Sequence, residues 1–297
     1  MRSLRRKPDL SIVVVGFDMA RELPRTLMSL SRAYQVGVED IDYEVLVIDN
    51  GSTPPLDDSI IDGLEGTFRF LRIDDAPPSP VHAANRGMAM TNGRFVGLIL
   101  DGARLVSPGA VAAAMTAARI HPRPIITPMA WHLGDEHQSI SIAKGYGPDA
   151  EDALLGSIDW PSSGYRLFDV AALAGANPQG MIGGVNESCF LVVPRTLWNE
   201  VGGLDERFDI AGGGLVSLDL FTRLVQAEGT QLVVLLGEGS FHQVHGGAST
   251  KPQVDHSPWH AQYEALRGRP YAPPAVDPLF VGRVPSPARR WLTVDRA

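Results

Sequence analysis

The chain has 297 residues, 44% of them hydrophobic and 20% charged, with a formal net charge of −8. That balance suits a globular protein able to bury a core, and it excludes a general nucleic-acid binder. A single cysteine, Cys189, excludes an internal disulfide and fits a reducing compartment; in the run Cys189-Phe190-Leu191-Val192-Val193 it reads as a small apolar filler.

Strand-like and helix-like segments alternate through the first half. Residues 11–15 are a short β-branched run. Residues 22–33 follow with Leu23, Leu27 and Leu30 at helical spacing and Pro24 suited to a first turn. A second strand, 43–48, closes on the turn sequence Asp49-Asn50-Gly51-Ser52. Residues 68–73 read as a third strand, 82–91 as a helix, 95–100 as a fourth strand, 108–120 as an Ala-rich helix and 124–128 as a short apolar strand. Strands alternating with helices predict a mainly parallel sheet covered on both faces.

Residues 131–180 lose that rhythm and read as a long surface loop or an acceptor-facing insertion. Order returns with a strand at 187–193, helices at 196–201 and 218–227, and a last strand at 232–236. From 251 to 297 there are eight prolines and seven Lys or Arg against four acids, a composition for a tail that wraps the domain or a partner rather than a second core. No stretch reaches the roughly 18 apolar residues that span a bilayer. The basic start, Arg2, Arg5, Arg6 and Lys7, runs directly into an apolar stretch too short for a signal peptide. The expectation is a cytoplasmic protein, at most peripheral to the inner face of the membrane.

Four short motifs come in a fixed order: Ser11-Ile-Val-Val-Val-Gly-Phe-Asp18, Val45-Leu-Val-Ile-Asp-Asn-Gly-Ser52, Asn85-Arg86-Gly87, and Asp101 at the end of an apolar strand. A carboxylate leaving the carboxyl end of a buried strand stands over the crevice where open α/β sheets bind ligands. Together these motifs resemble family 2 glycosyltransferases of the GT-A fold, over roughly residues 11–247. The resemblance implies an α/β fold, a mixed but mostly parallel sheet flanked by helices. It divides residues 1–250 into a nucleotide half, about 8–105, and an acceptor half, about 106–250, ahead of the tail. The implied reaction is inverting transfer of a sugar from a nucleoside diphosphate sugar to a hydroxyl acceptor, which is a carbohydrate, a lipid-linked molecule or a small molecule. The common context is polysaccharide or glycoconjugate synthesis, and the tail offers a surface for a second copy of the chain.

By the same resemblance Val15, Gly16, Phe17, Asp49, Asn50, Asn85, Arg86 and Asp101 surround the donor, with Asp49 accepting from a nucleobase N–H. Arg86 reads either as a phosphate contact or as a surface charge, and Asn85 as support for the site. The family's Asp-x-Asp, which holds a divalent metal, is here Asp101-Gly102-Ala103, followed by Arg104. A single carboxylate still permits Mn²⁺ or Mg²⁺, more weakly held. His245, in Gly239-Ser-Phe-His-Gln-Val-His-Gly-Gly247, matches the family's C-terminal metal ligand; His242 is a second contact or a packing residue.

Val201-Gly-Gly-Leu-Asp-Glu-Arg-Phe208 resembles the family's acceptor-side segment, yet Val216 and Ser217 stand where Glu and Asp are expected. The usual base is absent, and a serine hydroxyl cannot replace it unaided. Asp205, Glu187 (on the strand at 187–193) and Asp219 are the substitutes, with Asp219 also suited to capping the helix that follows it. The run Gly212-Gly213-Gly214 reads as an anion-binding nest or a turn. Two other classes stay open: a GT-A protein that binds a nucleotide sugar or glycan without transfer, and a nucleotidyltransferase-like enzyme. No Gly-rich loop with a lysine follows the first strand, which weakens the second.

Overall fold

The computed structural model describes residues 7–175, 177, 179–247 and 254–292. The basic residues Arg2, Arg5 and Arg6 and the start of the tail at Lys251 lie outside them. The elements in chain order are β1 (Leu10–Gly16), α1 (Leu23–Leu30), β2 (Tyr43–Asp49), β3 (Thr67–Arg72), α2 (Val81–Ala89), β4 (Phe95–Ile99), β5 (Arg104–Val106) and α3 (Ala110–Ala117). Then come β6 (Pro124–Leu133), α4 (Gln138–Ala143), α5 (Pro148–Ile158), β7 (Ala171–Leu173), β8 (Leu191–Pro194), α6 (Arg195–Val201), α7 (Val216–Gln226), β9 (Gln231–His242), α8 (Ser257–Arg267) and β10 (Leu279–Val281).

One sheet holds all the strands, in the order β10-β9-β6-β8-β4-β1-β2-β3, with β5 on β9 and β7 on β6. All strands run the same way except β5, β7 and β8. The sheet is therefore mixed but mostly parallel. β1 and β2 are buried along their whole length, as strands covered on both faces must be. Their side chains alternate between two cores. Val13, Val15, Leu46 and Ile48 enter one, beneath α2, α6 and α7; Leu10, Ile12, Val14, Val45 and Val47 enter the other, beneath α1 and α3. The carboxyl ends of β1, β2, β4, β6 and β9 consequently open on a single rim.

Three differences from the sequence-based expectations matter for the site. β9 extends to His242 instead of ending at 236, so His242 is a strand residue. Gly237-Glu238-Gly239 reads as a strand end, but residues 236–238 bulge out opposite Pro128/Met129, pairing resumes at Gly239, and β6 lengthens with it to Leu133. Glu238 is buried there, where it accepts from the Ser107 and Tyr165 hydroxyls. β5, three residues long and too short to show periodicity, pairs antiparallel with the end of β9. Glu187 lies in the loop before β8, not on the strand, which starts at Leu191.

Beyond the described gap the chain returns to the domain. α8 packs Tyr263 into the first core against Phe208, and β10 adds a parallel strand to β9. Arg267, at the end of α8, donates to Asp219 (2.5 and 2.7 Å) and pairs with Asp205 (2.9 Å).

Close approach explains Gly93, just ahead of β4. A Cβ there would lie 2.6 Å from the backbone nitrogen of Ser11. The Gly93 N–H also donates to the Ser11 hydroxyl at 2.9 Å. Gly93→Ala is expected to lower unfolding free energy in urea by about 1–3 kcal/mol, the usual range for overpacking; unchanged stability would show that the loop has room to move.

Candidate functional site

The loops after β1 and β2 are laced together. The Asn50 N–H donates to the Gly16 carbonyl (2.8 Å), the Asp18 N–H to the Ser52 hydroxyl (2.9 Å), and the Thr53 N–H to the Asp18 carboxylate (2.8 Å). Asp18 itself adopts φ 53°, a left-handed conformation that Asp tolerates better than most residues. Phe17 stands 53% exposed on this rim, whereas Val15 beneath it is buried. Asp49 is fully buried, and both its oxygens are used: Oδ1 accepts from the Ser52 N–H (3.0 Å) and hydroxyl (2.5 Å), Oδ2 from the Leu56 N–H (3.2 Å) and Arg72. Its role in the structure is to hold the turn. The neighbouring Asn50, 4% exposed, donates through Nδ2 to the Pro77 carbonyl, while its Oδ1 is buried and accepts from no described group.

The second half of the site is a metal-type cluster. β5 places Arg104 opposite His242 of β9, and this brings Asp101 alongside. His242 Nε2 lies 2.8 Å from Asp101 Oδ2 and 3.2 Å from His245 Nε2, and His245 Nε2 lies 3.4 Å from Asp101 Oδ1. His242 Nδ1 is 2.5 Å from Gln138 Oε1, which can only accept, so this nitrogen carries the proton and Nε2 keeps its lone pair toward Asp101 and His245. Gln138 is in turn held by donating to the His242 carbonyl (2.9 Å) and, through its backbone N–H, to His132 Nδ1 (2.9 Å).

Electrostatics follow from this crowding. Burial and the Arg104 charge lower the His242 pKa to about 4, against the pull of Asp101. Burial also takes His132 down to about 2. Burial alone would raise Asp101, but His245 and His242 outweigh it and hold the carboxyl well below the usual range. For His245 burial acts downward, and Asp101 more than reverses it. The donor set is therefore one ionised carboxylate and two imidazoles, all within 4.8 Å of one another. Bonds of about 2.1 Å at right angles would put neighbouring ligand atoms about 3 Å apart, so the cluster fits a divalent ion. Asp101, with 31% of its side chain exposed against 1% for His242 and 10% for His245, leaves an open side for a ligand.

The triplet residues have structural work as well. A Cβ on Gly102 would lie 2.8 Å from the Val15 carbonyl, so the residue between Asp101 and Ala103 carries no side chain. Ala103, the position at which the sequence resemblance implies a second acid, is fully buried and hydrogen-bonds through its backbone. His242, which the sequence left as either contact or packing, joins Asp101 and His245. The length of β9 was the missing signal.

On the acceptor side the three candidate acids differ. Asp205 is chelated by Arg207 (2.6 and 2.9 Å) and paired with Arg267; the Arg207 hydrogen bonds, with Arg267 adding to them, hold it well below its usual pKa. Asp219, 1% exposed, sits within the first turn of α7 and does not cap it, since the helix starts at Val216; it accepts from Arg223 (2.8 Å) and Arg267. Both carboxylates are spent on arginines. Glu187 is different: burial raises its pKa, and only Arg104 opposes the shift. Ser217 and Ser188 line a cavity of about 20 Å³ with Leu98 and Leu100, space for about one water. Cys189 packs on Ala130 and Ala174, and burial pushes its thiol up to about 12, consistent with an inert filler.

Asn85 grips the backbone of Leu204, accepting from its N–H (3.1 Å) and donating to its carbonyl (2.8 Å), a supporting role. Arg86 is exposed and makes no ion pair among the described residues. Gly212, Gly213 and Gly214 all have positive φ, but the Gly212 N–H is taken by the Pro78 carbonyl and the Gly213 N–H by the Ile210 carbonyl, so the run serves as a turn. No described helix is long and apolar enough to cross a membrane.

No family model matches this sequence, and no curated protein sequence matches it significantly. Solved structures of similar fold do exist. S. aureus TarS 1-349 in complex with UDP-GlcNAc matches with a TM-score of 0.53 at 12% identity, over 87% of this chain and 65% of that one. The mannosyltransferase PcManGT from Pyrobaculum calidifontis, in complex with GDP-Man and Mn²⁺, matches with a TM-score of 0.51 at 14% identity, over 97% of this chain and 69% of that one. S. aureus TarS matches with a TM-score of 0.51 at 10% identity, over 87% of this chain and 42% of that one. The chain thus spans 42% of TarS and 57% to 65% of its 1-349 form. These similarities define the fold as GT-A-like.

The arginine clamp on the two acids also anchors α8. Arg267→Ala leaves Asp219 buried with one partner fewer, and breaking such a pair costs about 3 kcal/mol. The variant is expected to lose about that much stability and to be cleaved by chymotrypsin behind residue 254 faster than the parent; equal proteolysis rates would show that Tyr263 and the Gln262–Asp209 hydrogen bond hold α8 without Arg267.

Proposed function

We propose that the protein is a glycosyltransferase that moves a sugar from a nucleoside diphosphate sugar to a hydroxyl acceptor with inversion. The observation that carries this reading is the meeting of Asp101, His242 and His245 on the rim of a GT-A-like sheet, beside the loops after β1 and β2. The base of the nucleotide lies against the exposed Phe17, between these two loops. Asn50 Oδ1, buried and unpartnered, accepts the nucleobase N–H that the sequence assigned to Asp49, and Asp49 keeps the loop in shape.

Asp101, His242 and His245 are the residues that would hold a divalent metal, and such an ion would supply positive charge to the leaving diphosphate. Two imidazoles favour Mn²⁺ over Mg²⁺, which prefers oxygen ligands. Arg104, with a buried Nη1 that has no partner among the described residues and Nη2 3.9 Å from Asp101, adds charge on the same side. Arg86, which makes no ion pair among the described residues, remains the candidate for a phosphate contact from α2. The acceptor oxygen attacks the anomeric carbon opposite the diphosphate, the bond from that carbon to the diphosphate breaks, and the acceptor proton passes to a carboxylate.

Glu187 is the carboxylate best suited to that task, because burial raises its proton affinity while Asp205 and Asp219 are held by arginines. The sugar, the nucleobase and the acceptor are set by groups beyond these, and an acceptor in surface polysaccharide or glycoconjugate synthesis is the reading we adopt.

A thermal-shift screen of UDP, GDP, dTDP and CDP should find one nucleotide that stabilises the protein more with Mn²⁺ than with Mg²⁺, since a ligand of the folded state raises stability by mass action. Equal shifts with either ion would remove the preference for Mn²⁺, and shifts no larger than with the nucleotide alone would remove the metal reading.

Glu187→Gln should lower turnover by about 10²–10⁴-fold with nucleotide affinity retained. A base acts when deprotonated, and the Glu187 pKa is raised, so the parent's rate should climb with pH through a limb above the ~4.3 of an ordinary glutamate. Near-normal transfer by the variant would move the base to Asp205 or Asp219. A parent that neither transfers nor hydrolyses any donor would instead be a nucleotide-sugar-binding protein, the reading that the losses at Ala103 and Ser217 favour.

A further inference from the structure

The loop carrying His245 is gripped from outside the site. Val244 lies between the two histidines, and both polar groups of its backbone are taken by one ion pair. Its N–H donates to Glu151 Oε2 at 2.7 Å. Its carbonyl accepts from Arg21 Nη2 at 2.6 Å, and the same Nη2 donates its other hydrogen to Glu151 Oε1 at 2.9 Å. Glu151 comes from α5 and is completely buried; Arg21 comes from the segment between β1 and α1. Arg21 is itself fixed at three further points, by Glu22 (2.8 Å), Asp152 (2.5 Å) and the Pro148 carbonyl (3.1 Å).

From these contacts we infer that Glu151 and Arg21 are positioning residues of the metal centre, setting where His245 stands relative to Asp101 and His242. This rests on the reading of those three residues as metal ligands. The preceding residue is held in the same manner: the Gln243 N–H donates to the Ala103 carbonyl (2.9 Å), and its side chain donates to the Glu22 carbonyl (3.1 Å). After His245 the chain turns away at Gly246, with φ 75°. The Val244 clamp is therefore the last grip on the backbone before the histidine.

A carboxylate buried to hold α5 in place would need only Arg21. Glu151 also takes the one backbone N–H that fixes the peptide next to a ligand. Groups that orient metal ligands typically change affinity by about 10–100-fold when removed. Residues 138–158, which the sequence presents as an irregular insertion, thereby supply two supports to one loop: Gln138 for the His242 ring and Glu151 for the His245 backbone.

The test uses the full chain with Mn²⁺ alone, followed by the electron paramagnetic resonance signal of the free ion, and Co²⁺ alone, followed by its visible absorption spectrum. Glu151→Gln and Arg21→Met should bind Mn²⁺ about 10–100-fold more weakly than the parent and should change the Co²⁺ spectrum. Asp149→Asn, which changes an exposed acid in the first turn of the same helix that bonds to neither Arg21 nor Val244 among the described residues, should match the parent in both. Should Arg21→Met fail to fold, Glu151→Gln carries the comparison at a temperature where its circular dichroism equals the parent's. A folded Glu151→Gln with parental Mn²⁺ affinity and Co²⁺ spectrum overturns the inference, as does an Asp149→Asn that is equally impaired. A parent that binds neither ion overturns the metal reading itself, and the inference falls with it.

Discussion

The arrangement depends on the antiparallel pairing of β5 with the end of β9. Three residues, Arg104–Val106, lie against residues 240–242 and bring a strand-end carboxylate to a strand-end histidine. A carboxylate and two imidazoles thereby share a space within 4.8 Å, where their charges must be balanced against each other. The balance is visible in the two pKa values, both lowered: His242 is driven toward neutrality by burial and Arg104, while Asp101, against its burial, is kept ionised with His245 as the largest favourable influence. Such a centre gains by accepting a cation, since a divalent ion satisfies the carboxylate and both lone pairs together.

The surroundings pre-organise this centre from several directions. Thr26 of α1 donates to the Gly102 carbonyl (2.6 Å) and accepts from the Arg104 N–H (3.1 Å), tying the Asp-Gly-Ala turn to the first helix. Gln243 reaches the same helix at Glu22 and Thr26. Four of the protein's eight histidines, His132, His137, His242 and His245, gather here in a chain of ring contacts with centroids 4.2 to 5.5 Å apart. On the other side, the tail supplies Arg267 to Asp205 and Asp219. Those acids are part of what fastens the tail, and this is a physical reason to look to Glu187 for proton transfer.

Much of this was legible in the sequence, and the exceptions share a cause. β1, β2, β4 and their helices are strongly periodic, so their positions and the strand-end placement of Gly16, Asp49 and Asp101 follow from pattern alone. Local signals failed where tertiary pairing decides the outcome. Gly237-Glu238-Gly239 looks like a strand end because two glycines and an acid are poor strand formers; a bulge, with Glu238 hydrogen-bonded to Ser107 and Tyr165, carries the strand through it to His242. β5 is too short to show a period. The roles of Asp205 and Asp219 turned on Arg267, about fifty residues further along, which no spacing rule connects to them. Asp49 and Asn50 show the same limit at a single turn: adjacent polar residues, one saturated by its own loop and the other left with a buried unpartnered oxygen.

The central claim is that Asp101, His242 and His245 form the metal centre that receives a nucleoside diphosphate. Anomalous diffraction at the manganese edge, from crystals grown with Mn²⁺ and the nucleotide selected by thermal shift, tests it most directly. The account predicts one strong anomalous peak at bonding distance from Asp101 Oδ, His242 Nε2 and His245 Nε2, with diphosphate oxygens completing its shell and the base beside Phe17 and Asn50. A nucleotide bound at this rim with no manganese among these three side chains, or manganese bound elsewhere in the presence of the nucleotide, would contradict it.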